Sequence, residues 1–208
     1  MSPKFKFNYV ISRTPARVSF AGGGTDLRSF YKKAKYGQVI SATINKYIYV
    51  TVKRHGDLCE EKIRLSYKKI EVANKYYELE NNIARECLKY FNITEPIYIS
   101  VVADIPVSSG LGSSSCFTVG LLNAIYKILG KNVTKSELAQ VACKIEINAL
   151  KNPIGKQDQY AATYGGLNIF KFLSNEKVIV KKVNISKKSM NNLKNNSILL
   201  WTGYSRSS

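Results

Sequence analysis

Residues 106–115, with the sequence Pro-Val-Ser-Ser-Gly-Leu-Gly-Ser-Ser-Ser, join a segment with strand periodicity to a segment with helical periodicity. Apolar residues alternate along 97–104 and recur at helical spacing along 117–128. The two glycines let the backbone turn and approach a ligand closely, and the five serines supply hydroxyl groups. The first N–H groups of a helix point out of its positive end and bind anions there. The junction therefore predicts a loop that binds nucleotide phosphates, as a kinase requires.

Two other interpretations of this loop can be weighed from the sequence. The chain contains no Gly-x-x-x-x-Gly-Lys-Ser/Thr motif, which excludes a P-loop NTPase. A serine- and glycine-rich connector that happens to precede a helix is a common structure, but it does not require ten residues in this order at a strand-to-helix junction. The phosphate-binding interpretation is therefore preferred.

Composition limits the class of protein. The chain has 208 residues, 45% of them hydrophobic, which suffices for one sizeable core and part of a second domain. It has no apolar run approaching the roughly 20 residues of a membrane helix and no apolar signal-peptide core, so we expect a cytoplasmic protein. Its four cysteines form no Cys-x-x-Cys pair and are expected to be reduced and mostly buried. The net charge of +18 is spread along the chain, which favours general solubility over attraction of anionic ligands as its main explanation.

The periodicity along the chain predicts a mixed α+β structure. Thr134 and Glu137 form a capping-box pattern before a helix that we expect to run from 135 to about 149. A hairpin across Asn45 is expected to join two strands. The other predicted strands are 10–20, 62–67, 97–104, 167–172, 177–183 and 197–201, and the other predicted helices are 26–35, 79–91, 117–128 and a short turn over 157–163.

Three segments together resemble the signatures of the GHMP kinases, the family of galactokinase, homoserine kinase, mevalonate kinase and phosphomevalonate kinase. The first is the loop at 106–115, and the second is Thr-Pro-Ala-Arg-Val-Ser-Phe-Ala-Gly-Gly-Gly-Thr-Asp-Leu at 14–27. The third is Asn-Pro-Ile-Gly-Lys-Gln-Asp-Gln-Tyr at 152–160, followed by Gly165 and Gly166. They occur in the family's order, and the similarity runs from about residue 11 to 208.

The resemblance implies an α+β fold, namely the GHMP kinase N-terminal domain, a ribosomal-protein-like βαβ arrangement with a left-handed crossover. We expect an ATP-binding domain over 1–172 and the beginning of a truncated C-terminal domain over 173–208. The family's third glycine-rich motif is missing from this sequence. We therefore expect weak or absent kinase activity for these 208 residues alone, and an exposed apolar face that favours self-association.

The resemblance also assigns the groups that would bind ATP and magnesium. Ser114 and Glu146 would bind Mg²⁺, which prefers oxygen ligands. From the sequence alone, Glu146 could equally be a surface carboxylate beside the apolar face of its helix. The predicted ATP-binding residues are Pro106, Ser108, Ser109, Gly110, Leu111, Gly112, Ser113, Ser114 and Ser115.

Asp158 and Arg17 are the catalytic residues that the resemblance implies. Asp158 would accept or orient the proton of the substrate hydroxyl, although an isolated loop aspartate is usually a cap or turn residue. A cation at Arg17 would stabilise charge on the aspartate and on the transferring phosphoryl group. The alternative for Arg17 is an ordinary arginine on the surface of a strand.

The substrate-binding residues by the same resemblance are Gly22, Gly23, Gly24, Thr25, Asp26 and Lys156. Galactokinases carry Glu-His where this chain has Gly23-Gly24, which argues against galactose and suits a bulkier or phosphorylated sugar. The Gly-Gly-Gly-Thr-Asp and Gly-Lys-Gln-Asp-Gln sequences favour the branch that phosphorylates D-glycero-D-manno-heptose 7-phosphate to the 1,7-bisphosphate for nucleotide-heptose synthesis. Expected ligands are ATP, magnesium and a sugar or sugar phosphate, without nucleic acid or membrane partners. The alternatives are a galactokinase-like or other GHMP kinase and, in a different class, a non-catalytic basic module that binds RNA.

Overall fold

The structure, a computed structural model, describes residues 4–56, 59–106, 109–200 and Gly203. The strands are β1 (Tyr9–Ala21), β2 (Tyr36–Arg54), β3 (Ile63–Ser66), β4 (Ile70–Ala73), β5 (Ile97–Ala103), β6 (Leu167–Leu173) and β7 (Val178–Lys182). The helices are α1 (Arg28–Lys33), α2 (Asn82–Tyr90), α3 (Ser113–Ile128), α4 (Lys135–Cys143), α5 (Gln157–Tyr164) and α6 (Lys187–Asn195). A short 3₁₀ turn covers Tyr76–Glu78, and a π-helical turn over Lys144–Ala149 follows α4 directly.

The strands form a mixed sheet in which β2 is the central strand. The order is β4-β3-β5-β2-β6-β7, and β1 pairs with β2 as well. The first residues of β2 pair with β6 and its last residues pair with β5, while β1 pairs along most of its length. All these pairings are antiparallel, whereas β3 and β5 are parallel. The α+β class predicted from the sequence is therefore confirmed.

Helix α3 packs its apolar residues against this sheet and forms the centre of the core. Twelve of its sixteen residues are buried, among them Leu121, Leu122 and Ile125. Gly120 allows the helix to approach the sheet closely, since a Cβ there would lie 2.8 Å from Thr14 Oγ1. The hydroxyl of Ser12 on β1 donates a 2.7 Å hydrogen bond to the Gly120 carbonyl. The middle of α3 is thereby fixed relative to β1, which carries Arg17.

Two expectations about elements were wrong, and a third was correct in its bounds but not in the type of helix. No hairpin occurs at Asn45, because residues 36–54 form one continuous strand. The polar stretch that suggested a turn lies at a break in the β1–β2 register, between Pro15 and Arg17. Residues 197–200 are exposed and form no strand, and Trp201 lies outside the described residues. The predicted helix over 135–149 ends its α-helical part at Cys143 and continues as the π-helical turn.

Within the described residues, no helix is long and apolar enough to cross a membrane. Cys87, Cys116 and Cys143 are buried and Cys59 is exposed, which agrees with the expectation of mostly buried cysteines. The domain boundary at 172 and the cytoplasmic location stay predictions. Strand β7, which lies beyond that boundary, pairs with β6 and extends the same sheet.

Candidate active site

The predicted phosphate loop leads directly into α3. Gly110 and Gly112 adopt left-handed backbone angles, with φ of +75° and +77°, which an L side chain rarely adopts. Gly112 occupies the N-cap position, so the helix begins at Ser113 and the N–H groups of its first turn have no acceptor within the helix. Of the predicted ATP-binding residues, Ser108 lies outside the described residues. The geometry around Gly112 is that of an anion-binding helix start.

Arg17 and Asp158 meet beside this loop. The guanidinium Nε and Nη2 of Arg17 donate to the two carboxylate oxygens of Asp158, each at 2.7 Å. The remaining guanidinium nitrogen, Nη1, donates to the carbonyl of Gly110 at 2.7 Å. Arg17 is therefore not an ordinary surface arginine, because its side chain is only 12% exposed and holds a bidentate pair. It connects β1, the loop and the first turn of α5.

Asp158 lies directly against the loop. A Cβ on Gly112 would be 3.2 Å from the Oδ2 atom of Asp158. The aspartate side chain is 23% exposed, so a ligand can reach it from solvent. A carboxylate this close to a helix start is within reach of a group bound to the phosphate that the helix start would hold.

Glu146 lies at the other side of the start of α3 and is completely buried. Its Oε1 atom accepts from the Ser114 hydroxyl at 2.7 Å, and its Oε2 atom accepts from Ser115 at 2.7 Å and from Gln159 Nε2 at 2.6 Å. Burial raises the pKa of the Glu146 carboxyl above its usual value, although the three hydrogen bonds oppose that change. The alternative of a surface carboxylate is thus wrong.

Glu146 lies within the π-helical turn that follows α4. Such turns usually form within α-helices by one extra residue and are frequent at functional sites. The backbone N–H of Asn152 donates to the Glu146 carbonyl at 3.1 Å, which closes the wide end of this turn. The Glu146 side chain faces α3 rather than the solvent, since its carboxylate accepts from Ser114 and Ser115 of that helix.

Ser114 and Glu146 fit a magnesium ion chemically. Ser114 is exposed, and its hydroxyl keeps lone pairs while it donates to Glu146. Among the described residues, Oε1 of Glu146 accepts this one hydrogen bond, so it too retains a lone pair. Within the described residues, no group of three or more His, Cys, Asp and Glu side chains could hold a metal alone. A magnesium ion here would need nucleotide oxygens and water as its remaining ligands.

Asp26 occupies a tight pocket beside the segment that carries Asp158. It is 3% exposed, and its Oδ2 atom accepts from the backbone N–H of Gln157 at 3.0 Å. Burial raises the pKa of its carboxyl, and the nearby charge of Asp158 adds to that rise. Gly155 is required here, since a Cβ would lie 1.9 Å from Oδ2 of Asp26.

The other predicted substrate-binding residues divide into two groups. The turn at Gly22, Gly23 and Gly24 is closed from within, because the hydroxyl of Thr25 donates to the Gly22 carbonyl at 2.7 Å and accepts from the Gln38 N–H at 2.9 Å. Thr25 thus has a structural role that accounts for its presence. Lys156 is 16% exposed and pairs with Glu176 at 2.5 Å.

Asp26 and Lys156 line one cavity of about 600 Å³ between α1, α4, the π-helical turn and the β6–β7 turn. This volume suits a small-molecule ligand. Glu176 and Tyr31 contribute to its wall. The cavity lies next to the segment that carries Asp158, so it is a candidate site for the acceptor.

Sequence reasoning missed two glutamines that position the acidic groups. Gln159 is fully buried and donates to Glu146, and Gln157 accepts from the hydroxyl of Ser19 at 2.7 Å while its N–H binds Asp26. The signal was present in the Gly-Lys-Gln-Asp-Gln sequence, where these residues flank Asp158. A pattern that places a glutamine on each side of a candidate aspartate indicates support for neighbouring carboxylates.

Comparisons with known proteins show which proteins this chain resembles. Residues 74–166 match the family model described as the GHMP kinases N terminal domain. The chain is 31% identical to a D-glycero-alpha-D-manno-heptose 7-phosphate kinase of Campylobacter jejuni over 94% of its own length, and covers 60% of that enzyme. It is 26% identical to a galactokinase of Thermotoga maritima, covering 74% of this chain and 43% of that enzyme.

One solved structure extends the likeness to three dimensions. A D-glycero-D-manno-heptose 1-phosphate kinase from Bacteriodes thetaiotaomicron superposes with a TM-score of 0.79 at 28% identity, over 88% of this chain and 62% of that one. The chain therefore spans about three fifths of the length of these two heptose kinases.

Proposed function

Because the chain belongs to the GHMP kinase family, we propose that it transfers the γ-phosphoryl group of ATP to a sugar hydroxyl. The observation that carries this proposal is the contact of Arg17 and Asp158 with the loop at Gly110–Gly112, beside the Ser114–Glu146 pair. Phosphoryl transfer needs an anion-binding loop, a group that accepts a proton and oxygen ligands for a metal. All three lie around the start of α3.

The residues divide the reaction between them. The N–H groups at the start of α3 would bind the phosphates, and magnesium, held by Ser114 and Glu146, would neutralise phosphate charge when bound. The acceptor hydroxyl would give its proton to Asp158 while its oxygen attacks the γ-phosphorus, and the bond from that phosphorus to the leaving ADP would break.

Arg17 acts chiefly as a positioning residue in this scheme. All three of its guanidinium nitrogens already donate to Asp158 or Gly110. Arg17 lies between the loop and Asp158, and its positive charge there would stabilise the negative charge that develops on the transferring group.

For the acceptor, we propose a heptose phosphate, D-glycero-D-manno-heptose 7-phosphate, converted to the 1,7-bisphosphate. The support is the heptose 7-phosphate kinase activity for which the Campylobacter jejuni relative is named. The glycines at 23 and 24 add to it, because a Cβ at either position would have nothing within 4 Å. The RNA-binding alternative is not favoured, because contact with nucleic acid would require neither a buried Glu146 nor an ion pair between Asp158 and Arg17.

A coupled assay of ADP formation by the whole protein tests the proposal with heptose 7-phosphate, galactose, fucose and mevalonate at saturating Mg-ATP. We expect the highest kcat/KM for heptose 7-phosphate, by about 100-fold or more over galactose, because polar groups matched to one acceptor reject others strongly. Faster turnover of galactose would contradict the proposed acceptor. No ADP formation with any sugar, together with no Mg-ATP binding, would contradict the kinase function.

A further inference from the structure

The carboxylate of Glu176 lies inside a group of positively charged side chains. It accepts from Lys156 Nζ at 2.5 Å, from the Tyr31 hydroxyl at 2.7 Å and from Arg28 Nε at 3.0 Å. Lys32 Nζ lies 3.4 Å from the same carboxylate. We refer to Arg28, Lys32 and Lys156 as the cation cluster.

The charges in this group are unbalanced. The three positive charges of the cation cluster meet one negative charge from Glu176. Burial alone would raise the pKa of Glu176, but the hydrogen bonds from Lys156 and Tyr31 outweigh it and lower the pKa to about 2. The carboxylate is therefore ionised at neutral pH, and among the described residues it is the only acidic side chain that forms an ion pair with these three cations. A phosphate monoester, with close to two negative charges and three terminal oxygens, matches the cluster better than a carboxylate does.

The cluster lies where an acceptor could reach it. Arg28, Lys156 and Glu176 line the same cavity as Asp26. Lys156 precedes Asp158 by two residues, and the intervening Gln157 binds Asp26 through its N–H. A sugar held by its hydroxyls at Asp26 could thus extend a phosphate toward the cluster while another hydroxyl stays near Asp158.

Glu176 lies in a surface turn whose movement would withdraw its carboxylate from the cation cluster. It lies in the turn between β6 and β7, and its φ of +70° is a left-handed angle unfavourable for a residue with a side chain. Its side chain is 38% exposed, and the neighbouring Ser174 and Asn175 are exposed as well. Withdrawal of this carboxylate would move a surface turn and leave the core unchanged.

Resting on the proposed kinase function, we propose that the cation cluster binds a phosphate group of the acceptor and that Glu176 fills this site until the acceptor displaces it. The Glu176 carboxylate then has two effects. It keeps the cations together when the site holds no ligand, and it lowers the affinity for any anion that cannot outcompete it. The substrate class that follows is a sugar phosphate rather than a neutral sugar.

Isothermal titration calorimetry with inorganic phosphate tests this site, with the nucleotide loop first saturated by a Mg-bound non-hydrolysable ATP analogue. Lys156→Met should weaken phosphate binding by about tenfold or more, because it removes a charge-assisted hydrogen bond. Glu176→Gln should tighten phosphate binding by about fivefold, because it removes a competing charge. Lys188→Met, on the exposed helix α6, is the matched control and should leave the affinity unchanged.

Equal phosphate affinity in wild type, Lys156→Met and Glu176→Gln would overturn the proposal, as would equal weakening by Lys156→Met and Lys188→Met. Circular dichroism melting of each variant confirms that the folded protein is compared. The titration of the Mg-bound analogue alone reports on the nucleotide site. If that ligand fails to bind while phosphate still responds to Lys156→Met and Glu176→Gln, the kinase function fails and the anion site stands.

Discussion

At the scale of single residues, the site is built from carboxylates that are held in different ways. Asp158 pairs with a guanidinium group and is partly exposed. Glu146 accepts from three neutral donors and is not exposed to solvent. Asp26 accepts from a backbone N–H in a tight pocket. These environments suit different tasks. A carboxylate that accepts a proton must be accessible to the substrate. A carboxylate that binds a metal next to a serine hydroxyl must be held in a fixed position.

The raised pKa of Glu146 predicts a pH dependence of nucleotide binding. Magnesium needs the ionised carboxylate, so the contribution of Glu146 is present above its pKa and is lost as the pH falls through it. Because burial raises that pKa, the loss should centre above the usual value of 4.5.

The measurement is the ratio of Mg-ATP affinities of wild type and Glu146→Gln between pH 4 and pH 8. Titration of ATP itself is common to both proteins and cancels in the ratio. The ratio should be large at pH 8 and approach one at low pH. A ratio independent of pH would show that Glu146 does not bind the metal as a carboxylate.

Gly155 gives a second prediction at this scale. The Cβ of Gly155→Ala would lie 1.9 Å from Oδ2 of Asp26, so the pocket must distort. We expect a loss of about 1–3 kcal/mol in the free energy of unfolding and a higher KM for the acceptor. Gly23→Ala is the matched control, since nothing lies within 4 Å of its Cβ. Chemical denaturation measures the free energy of unfolding of the two variants, and equal stability would contradict the packing described.

At the scale of elements, local periodicity predicted most of the helices and strands around the site. The strand β5, the loop and helix α3 follow from residues 97–128 alone, because alternation and helical spacing are local properties. The continuity of β2 does not. Whether Asn45 turns or continues depends on β5 and β6, which lie at distant positions in the chain and pair with opposite ends of the strand.

The site shows the same division. The resemblance named Arg17, Glu146 and Asp158, but neither the π-helical turn that carries Glu146 nor the approach of Glu176 to Lys156 has a local signature. Both depend on packing: one extra residue in a helix, and a turn from β6 to β7 that reaches α1. These are the features for which the structure was needed.

The π-helical turn leads to a prediction about helix phase. Each residue of an α-helix turns it by about 100°, so deleting Lys144 should convert the turn to an α-helix and rotate Glu146 away from Ser114. Deleting Asn148 also removes one residue, but it lies after Glu146 and leaves that side chain in phase with α4. We expect Mg-ATP affinity to fall by about tenfold or more in the first deletion and to remain near wild type in the second. Calorimetry distinguishes them, and equal affinities would contradict the role given to the turn.

At the scale of the whole molecule, the site forms because the sheet brings three remote segments together. Arg17 lies 141 residues from Asp158 and 93 residues from Gly110 in the chain, yet it bonds to both. The net charge of +18 makes the protein strongly basic, which would assist the approach of the anionic ligands proposed for this junction. Neither the charge nor the fold alone specifies a kinase, since folds host many functions. The feature that points to a kinase is the loop at the start of α3 together with the two acidic groups beside it, Asp158 and Glu146.

The most direct test of this account is the steady-state rate of phosphoryl transfer by wild type and Asp158→Asn, measured with Mg-ATP affinity on the same samples. Asn keeps the size of the side chain but cannot accept the proton, so we predict that kcat falls by about 10²–10⁴-fold while the Kd for Mg-ATP stays within about threefold. An unchanged kcat in Asp158→Asn would contradict the central claim that this carboxylate, held by Arg17 against the loop, takes part in the reaction.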